Sequence, residues 1–146
     1  MRRRVLVETD FLFGLNARDK LYPYVTRLLE KHRKGELMLS LSSVSSLEAT
    51  LVLLSRGFKA RMVIRILRLM NTKLSEYNID SYTPLSLKVI AEALELKEKY
   101  KQLTFFDSIH IATAKTMGLP LVTSDKTLAR IMKAESIEYL EYKDVA

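Results

Sequence analysis

The chain has 146 residues, of which 48% are hydrophobic, so it is long and apolar enough to form a domain with its own core. It contains no cysteine, which excludes disulfides and zinc–thiolate sites and favours a reducing, cytoplasmic setting. The net charge of +7 favours a polyanionic partner such as nucleic acid, although a solubility role explains such a charge equally well.

Short apolar segments alternate with helical segments along the chain. Residues 5–7 predict a buried strand; the basic residues before it are not an export signal, because Glu8 and Asp10 interrupt the apolar stretch. Later patterns predict helices over 21–34, 44–56 (capped by Ser42 or Ser43), 59–77, 84–100 (opened by Pro84), 104–117 and 124–134, and strands over 36–41, 79–83, 121–123 and 137–140. The alternation favours a single α/β domain over residues 1–146 with a mostly parallel sheet, and no run is long enough to span a membrane.

Glu48 is the acid that the sequence sets apart. On a helical wheel it lies in the middle of an apolar arc that we expect to face the core, formed by Val44, Leu47, Leu51 and Val52. A carboxylate turned toward the core is costly unless it is paired, protonated or bound to a metal. We therefore interpret Glu48 as a candidate functional residue, with a buried salt bridge as the structural alternative.

Further acids lie at the ends of predicted elements, and each has a local explanation. Asp107 can complete a capping box with Thr104, and Asp125 can cap the helix that follows its strand. Glu8 and Asp10 follow the first strand, where a spacing of two places them on one face, or Asp10 caps the next turn. Because strand ends and helix starts meet at the carboxyl edge of a parallel sheet, all of these acids can converge there.

Converging carboxylates repel one another unless a cation lies among them, and ligands that are all oxygen suit Mg²⁺ or Mn²⁺. The candidate catalytic and metal-binding residues are Glu8, Asp10, Glu48, Asp107 and Asp125. Thr123 could position a water or an acid, or be a plain strand-end hydroxyl. We interpret His110 as structural, because a lone histidine more often is.

The predicted helix over 59–77 carries a basic stripe. The stripe consists of Arg61, Arg65 and Arg68, and the opposite face carries Met62, Ile66 and Met70. The arginines could follow a nucleic-acid backbone, although a solvated face is the favoured interpretation. Ile64 and Leu69 flank the stripe, so the helix has more apolar residues than one buried face can hold. We therefore hypothesise that its remaining apolar residues contact a partner subunit.

Four segments resemble the motifs of the PIN-domain family. Residues 5–13 are similar to its apolar strand followed by Asp-Thr-Asn, and residues 43–53 to its segment with a helical glutamate. Residues 106–114 resemble the Asp-Ala-…-Ala-x-Ala helix, and residues 121–125 the Thr-x-Asp ending. The order and spacing fit across nearly the whole chain. In the first motif Glu8 stands in place of the family's aspartate and Asp10 in place of its asparagine, so the first ligand is either one.

The resemblance implies a three-layer α/β/α sandwich with a mostly parallel central sheet. It implies a cytoplasmic ribonuclease that depends on Mg²⁺ or Mn²⁺, of the VapC-like toxin type found in prokaryotic toxin–antitoxin pairs. It also implies a homodimer, an RNA substrate and an antitoxin partner. Glu8 or Asp10, with Glu48, Asp107 and Asp125, would hold one or two cations, which lower the pKa of a water and offset charge on the attacked phosphate.

The departure in the first motif leaves another class of function open. The alternative is a catalytically inactive RNA-binding or assembly module with the same fold, which would bind RNA in a salt-sensitive way without binding a metal. A phosphotransfer receiver is not favoured, because the strand over 36–41 ends without an acceptor aspartate.

Overall fold

A parallel sheet organises the chain in the computed structural model, which describes residues 2–146. The elements are β1 Arg3–Val7, α1 Thr9–Phe13, α2 Tyr22–Arg33, β2 Leu37–Leu41, α3 Ser45–Ser55, α4 Ala60–Glu76, α5 Leu87–Lys99, α6 Phe105–Met117, β3 Leu121–Val122, α7 Lys126–Ala134, β4 Tyr139–Leu140 and α8 Tyr142–Val145. The strands lie in the order β2–β1–β3–β4, and all neighbours run parallel. Their carboxyl ends therefore share one edge, which we call the carboxyl edge.

The strand β1 is buried on both faces and separates two apolar clusters. Val5 and Val7 pack into a cluster that includes residues of α2, α4 and α8. Leu6 packs into the other cluster, with residues of α5, α6 and α7. Because successive side chains of a strand point to opposite faces, this division places helices on both sides of the sheet. The expected three-layer α/β/α fold is confirmed.

Several local expectations differ from the structure. The strand expected over 79–83 is reduced to a single parallel bridge between Leu41 and Tyr82. The helix expected to open at Pro84 begins at Leu87, because the Ser86 hydroxyl accepts a hydrogen bond from the N–H of Val89 and caps it. The two short helices α1 and α8 were not expected at all.

The helix α3 lies with a different face toward the core than the wheel indicated. Its buried residues are Ser45, Ala49 and Leu53, whereas Leu47 and Leu51 are 54% and 46% exposed. The prediction that the arc with Leu47 and Leu51 faces the core was therefore wrong. Periodicity could not choose the face because the helix is apolar nearly all round, and small side chains allow the closer approach to the core. The expected serine cap was also wrong, since the cap residue makes no side-chain hydrogen bond.

The helix α4 leaves much of its apolar surface exposed. It buries Val63 and Leu74, while Met62, Ile64 and Leu69 are exposed. The expected apolar face was therefore only partly right, because Met62 is exposed and the other two residues expected on that face are half-buried. No helix in residues 2–146 is long and apolar enough to cross a membrane.

Candidate active site

The strands β1 and β3 bring two site segments together at the carboxyl edge. Val7 pairs with Val122 in the parallel ladder, so the residues that follow them, Glu8 and Thr123, are neighbours. The Thr123 hydroxyl, which is buried, donates a hydrogen bond to Glu8 Oε2 at 3.3 Å. The Thr123 hydroxyl therefore contacts an acid of the candidate site, as one of the two expected roles requires.

Glu8 is a buried carboxylic acid that caps α1. Its Oε1 accepts a hydrogen bond from the N–H of Asp10 at 3.0 Å. Burial raises the pKa of Glu8 well above its usual value, and the negative charges of Asp10 and Glu48 raise it further. The expectation that Glu8 and Asp10 share one strand face was wrong, because β1 ends at Val7 and α1 begins at once.

Asp10 is held by protein donors on both of its oxygens. Its Oδ2 accepts hydrogen bonds from the N–H and the hydroxyl of Ser124 at 2.8 and 2.7 Å. Its Oδ1 accepts one from the hydroxyl of Tyr142 at 2.8 Å. Burial, followed by the charge of Asp10, raises the pKa of Tyr142 well above its usual value. Asp10 thus connects α1 to the start of α7 and to α8.

Glu48 is oriented by two donors on one oxygen. Its Oε1 accepts hydrogen bonds from the Thr9 hydroxyl and, at 2.8 Å, from Nε2 of the fully buried His110. Burial acts to raise the pKa of Glu48, but hydrogen bonds from His110 and Thr9 outweigh it and lower the pKa. Sequence reasoning missed this contact, and the only signal was that His110 lies one turn beyond Asp107.

Asp107 and Asp125 both act as helix caps, as their local patterns indicate. Asp107 and Thr104 form the reciprocal capping box of α6. Asp125 Oδ1 accepts hydrogen bonds from the N–H groups of Thr127 and Leu128 and caps α7. Burial raises the pKa of Asp107, and the charges of Glu48 and Asp125 add to the rise. Because Glu8 also caps a helix, a capping role does not separate Asp107 and Asp125 from Glu8.

The acids at the carboxyl edge form a series of electrostatic neighbours. Glu8 interacts with Glu48, and Asp107 interacts with Glu48 and Asp125. This all-oxygen donor set suits a hard divalent cation, which would relieve the repulsion that raises the pKa of Glu8 and Asp107. Within residues 2–146, however, no three acids or histidines are placed close enough together to form a ready-made metal site.

A cavity of about 710 Å³ opens beside Asp10 and Ser124. Its walls come from the segment that follows α1 and from α3 and α4, and its basic lining residues are Lys20, Arg56 and Lys73. Sequence reasoning had chosen a different basic set. Those arginines, Arg61, Arg65 and Arg68, are exposed on α4 but do not line this cavity.

Comparisons with known proteins agree on the fold. The sequence profile of the PIN domain family matches residues 5–134. PAE2754 from Pyrobaculum aerophilum is 22% identical, with a TM-score of 0.63 over 99% of this chain and 95% of that one. A chain of VapBC2 from Rickettsia felis, solved with a DNA fragment from its promoter, is 17% identical, with a TM-score of 0.67 over 94% and 98%.

The third comparison carries a description of activity. VapC20 from Mycobacterium tuberculosis, described as a sarcin-ricin loop cleaving toxin, is 18% identical, with a TM-score of 0.63 over 86% of this chain and 93% of that one. Identities this low show the shared fold alone. No curated protein matches the sequence.

Proposed function

The chain belongs to the PIN domain family, and from that premise we propose that it is a divalent-metal-dependent ribonuclease that hydrolyses RNA phosphodiester bonds. The observation that carries the proposal is the series of carboxylates at the carboxyl edge, in which neighbouring charges help to raise the pKa of Glu8 and Asp107. Acids kept together against their repulsion are typical of functional sites. The likeness to a toxin described as cleaving the sarcin-ricin loop supports RNA as the substrate.

The proposed roles follow from the contacts of each residue. Glu8, Glu48, Asp107 and Asp125 would hold Mg²⁺ or Mn²⁺, and Thr123 would position Glu8 through its hydrogen bond. When bound, the cation lowers the pKa of a water and offsets charge on the attacked phosphate. Asp10 belongs to the candidate set, but its oxygens already accept hydrogen bonds from Ser124 and Tyr142. Glu8 also accepts hydrogen bonds on both oxygens, but its two bonds, at 3.0 and 3.3 Å, are longer than the three to Asp10, at 2.8, 2.7 and 2.8 Å. We therefore favour Glu8 over Asp10 as the first ligand.

The setting that we propose is a toxin–antitoxin pair. We take residues 1–146 as one PIN domain that acts in the cytoplasm as a homodimer and is inhibited by an antitoxin. The likeness to a chain of VapBC2, solved with a DNA fragment from its promoter, supports this proposal. The net charge of +7 suits an RNA substrate, and Arg61, Arg65 and Arg68 are candidate backbone contacts.

The direct test is cleavage of labelled RNA by the pure protein with Mg²⁺, Mn²⁺ or EDTA. We expect cleavage with either cation and none with the chelator. Glu48→Gln and Asp107→Asn should each reduce kcat by roughly 100-fold or more, because each removes a charge from the cation site while keeping a similar shape.

Glu98→Gln is the matched control, because Glu98 is an exposed acid whose ion pair is with Lys101. It should cut RNA at the wild-type rate, and circular dichroism should show all variants to be folded. Cleavage that persists in EDTA, or full activity of both site variants, would contradict the proposal.

One observation favours a second candidate, the catalytically inactive RNA-binding module. Glu8, Asp107 and Asp125 each cap a helix, and no ready-made group of three metal ligands exists within the described residues. If the chain is such a module, it should bind RNA in a salt-sensitive way without measurable Mn²⁺ binding. If it is a ribonuclease, it should bind both RNA and Mn²⁺.

A further inference from the structure

His110 lies at the centre of a row of buried polar side chains that ends at Glu48. We propose that His110 is a positioning residue, held by Ser42, which fixes the Glu48 carboxylate so that Oε2 is the oxygen available to a divalent cation. This inference rests on the proposed function, because it concerns how one of the proposed ligands is oriented.

The first part of the row is buried and hydrogen-bonded to the sheet. Ser42 and His110 are both 0% exposed, and Ser42 Oγ lies 2.6 Å from His110 Nδ1. The N–H of Ser42 also donates to the carbonyl of Val7 at 2.9 Å, so the serine is anchored to the last residue of β1. The ring is therefore held between α6 and the sheet.

The second part of the row determines which ring nitrogen carries the proton. An ionised carboxylate only accepts hydrogen bonds, so the Nε2–H of His110 donates to Glu48 Oε1 at 2.8 Å. In the neutral ring, Nδ1 then accepts from the Ser42 hydroxyl. The partner of one nitrogen thus selects the proton on the other, as occurs around many metal sites.

Both donors to Glu48 reach the same oxygen. The Thr9 hydroxyl, from α1, also donates to Oε1, and it lies 3.5 Å from His110 Nε2. Among the described residues, no hydrogen bond reaches Oε2. Contacts from α1 and α6 therefore hold Oε1 of the carboxylate on α3 and leave Oε2 without a partner among the described residues.

Two substitutions of similar size separate positioning from simple filling of space. The side-chain nitrogen of glutamine can occupy the place of the histidine Nε2, so His110→Gln keeps a donor to Glu48. The shorter asparagine places its nitrogen near the histidine Nδ1, so His110→Asn can reach Ser42 but not Glu48. A merely structural role makes Asn and Gln equally harmful, whereas a positioning role makes Gln the better replacement.

The experiment is titration of each metal-free protein with Mn²⁺, monitored by electron paramagnetic resonance of the free ion. We expect His110→Asn to bind Mn²⁺ about 10- to 100-fold more weakly than the wild type, and His110→Gln to stay within about threefold. In RNA cleavage under saturating Mn²⁺, His110→Asn should lower kcat with little change in KM. Thr113→Val is the matched control, because Thr113 is a buried α6 residue whose hydroxyl donates only to the carbonyl of Ile109.

The outcomes are distinct. Equal Mn²⁺ affinity in the wild type and folded His110→Asn, or an equal loss in Asn and Gln, overturns the positioning role while leaving the proposed function intact. A wild-type protein that binds no Mn²⁺ overturns both. If His110→Asn does not fold, Ser42→Ala decides: the proposal predicts Mn²⁺ affinity lowered several-fold and a changed His110 tautomer in nitrogen-15 spectra, and an unchanged affinity overturns it.

Discussion

Glu8 is buried beside negatively charged neighbours, and its ionised form therefore destabilises the metal-free protein. Its side chain lies in the protein interior between Thr123 and the first turn of α1, and Asp10 and Glu48 oppose its charge. The folded protein therefore holds a proton on Glu8 more tightly than the unfolded chain does. Such destabilised acids are a common result of selection for function.

We predict that Glu8→Gln stabilises the protein in EDTA at neutral pH by roughly 1 kcal/mol. The folded pKa of Glu8 lies above the unfolded one, so the free energy of unfolding falls as pH rises from the unfolded value to the folded one. The gain from Glu8→Gln should be present above this interval and should vanish below about pH 4. Urea denaturation at both pH values measures it.

The control for this prediction is Glu98→Gln, an exposed substitution that should change stability little at either pH. A Glu8→Gln protein that is less stable than the wild type at neutral pH would show that the ionised Glu8 is stabilised by contacts stronger than its burial. In that case the raised pKa would be wrong.

At the scale of elements, Asp10 connects the loops at the carboxyl edge. It receives hydrogen bonds from Ser124, just before α7, and from Tyr142, the first residue of α8. Its two oxygens accept three short hydrogen bonds, whereas Glu8 accepts two longer ones and Glu48 Oε2 accepts none from the described residues. This geometry describes a connector between elements more readily than a metal ligand.

We predict that Asp10→Asn keeps the Mn²⁺ affinity of the wild type within about threefold, whereas Glu8→Gln weakens it by 10-fold or more. Asparagine can still accept from Ser124 through its oxygen, and its amide can donate to the Tyr142 hydroxyl. Calorimetric titration with Mn²⁺ compares the two variants directly. The reverse order of affinities would assign the first ligand to Asp10.

At the scale of the whole molecule, basic residues occupy two separate surfaces. Arg56 and Lys73 line the cavity that reaches Asp10 and Ser124. The stripe of Arg61, Arg65 and Arg68 lies on the exposed surface of α4 and does not line that cavity. The position of the cavity makes its basic residues the better candidates for holding RNA beside the acids.

We predict that replacing Arg56 and Lys73 by alanine weakens RNA binding. The negative slope of log affinity against log salt concentration should become less steep by about 1.4, since each contact with a single strand contributes about 0.7. The double variant Arg61→Ala with Arg65→Ala removes the same charge from the stripe and is the control. Fluorescence anisotropy over a range of salt concentrations measures both slopes. A larger loss in the stripe variant would move the RNA path from the cavity to the arginine stripe.

The sequence by itself determined the features that local chemistry encodes. The alternation of apolar and helical segments predicted an α/β domain with a mostly parallel sheet, and the family resemblance implied its three layers. The capping box of Thr104 and Asp107 was readable because its residues are three apart. The family motifs placed the acids near one edge of the sheet. Glu48 was selected as unusual from an apolar arc whose Leu47 and Leu51 are in fact exposed.

Only the tertiary structure decided which groups meet. Glu48 and His110 are 62 positions apart, and Asp10 and Tyr142 are 132 apart, so no local pattern encodes either contact. Nor could periodicity orient α3, because a helix that is apolar nearly all round has no preferred face until small residues pack closely. The partners of each acid, and the favoured choice of Glu8 over Asp10, depend on contacts that exist only after the sheet has formed.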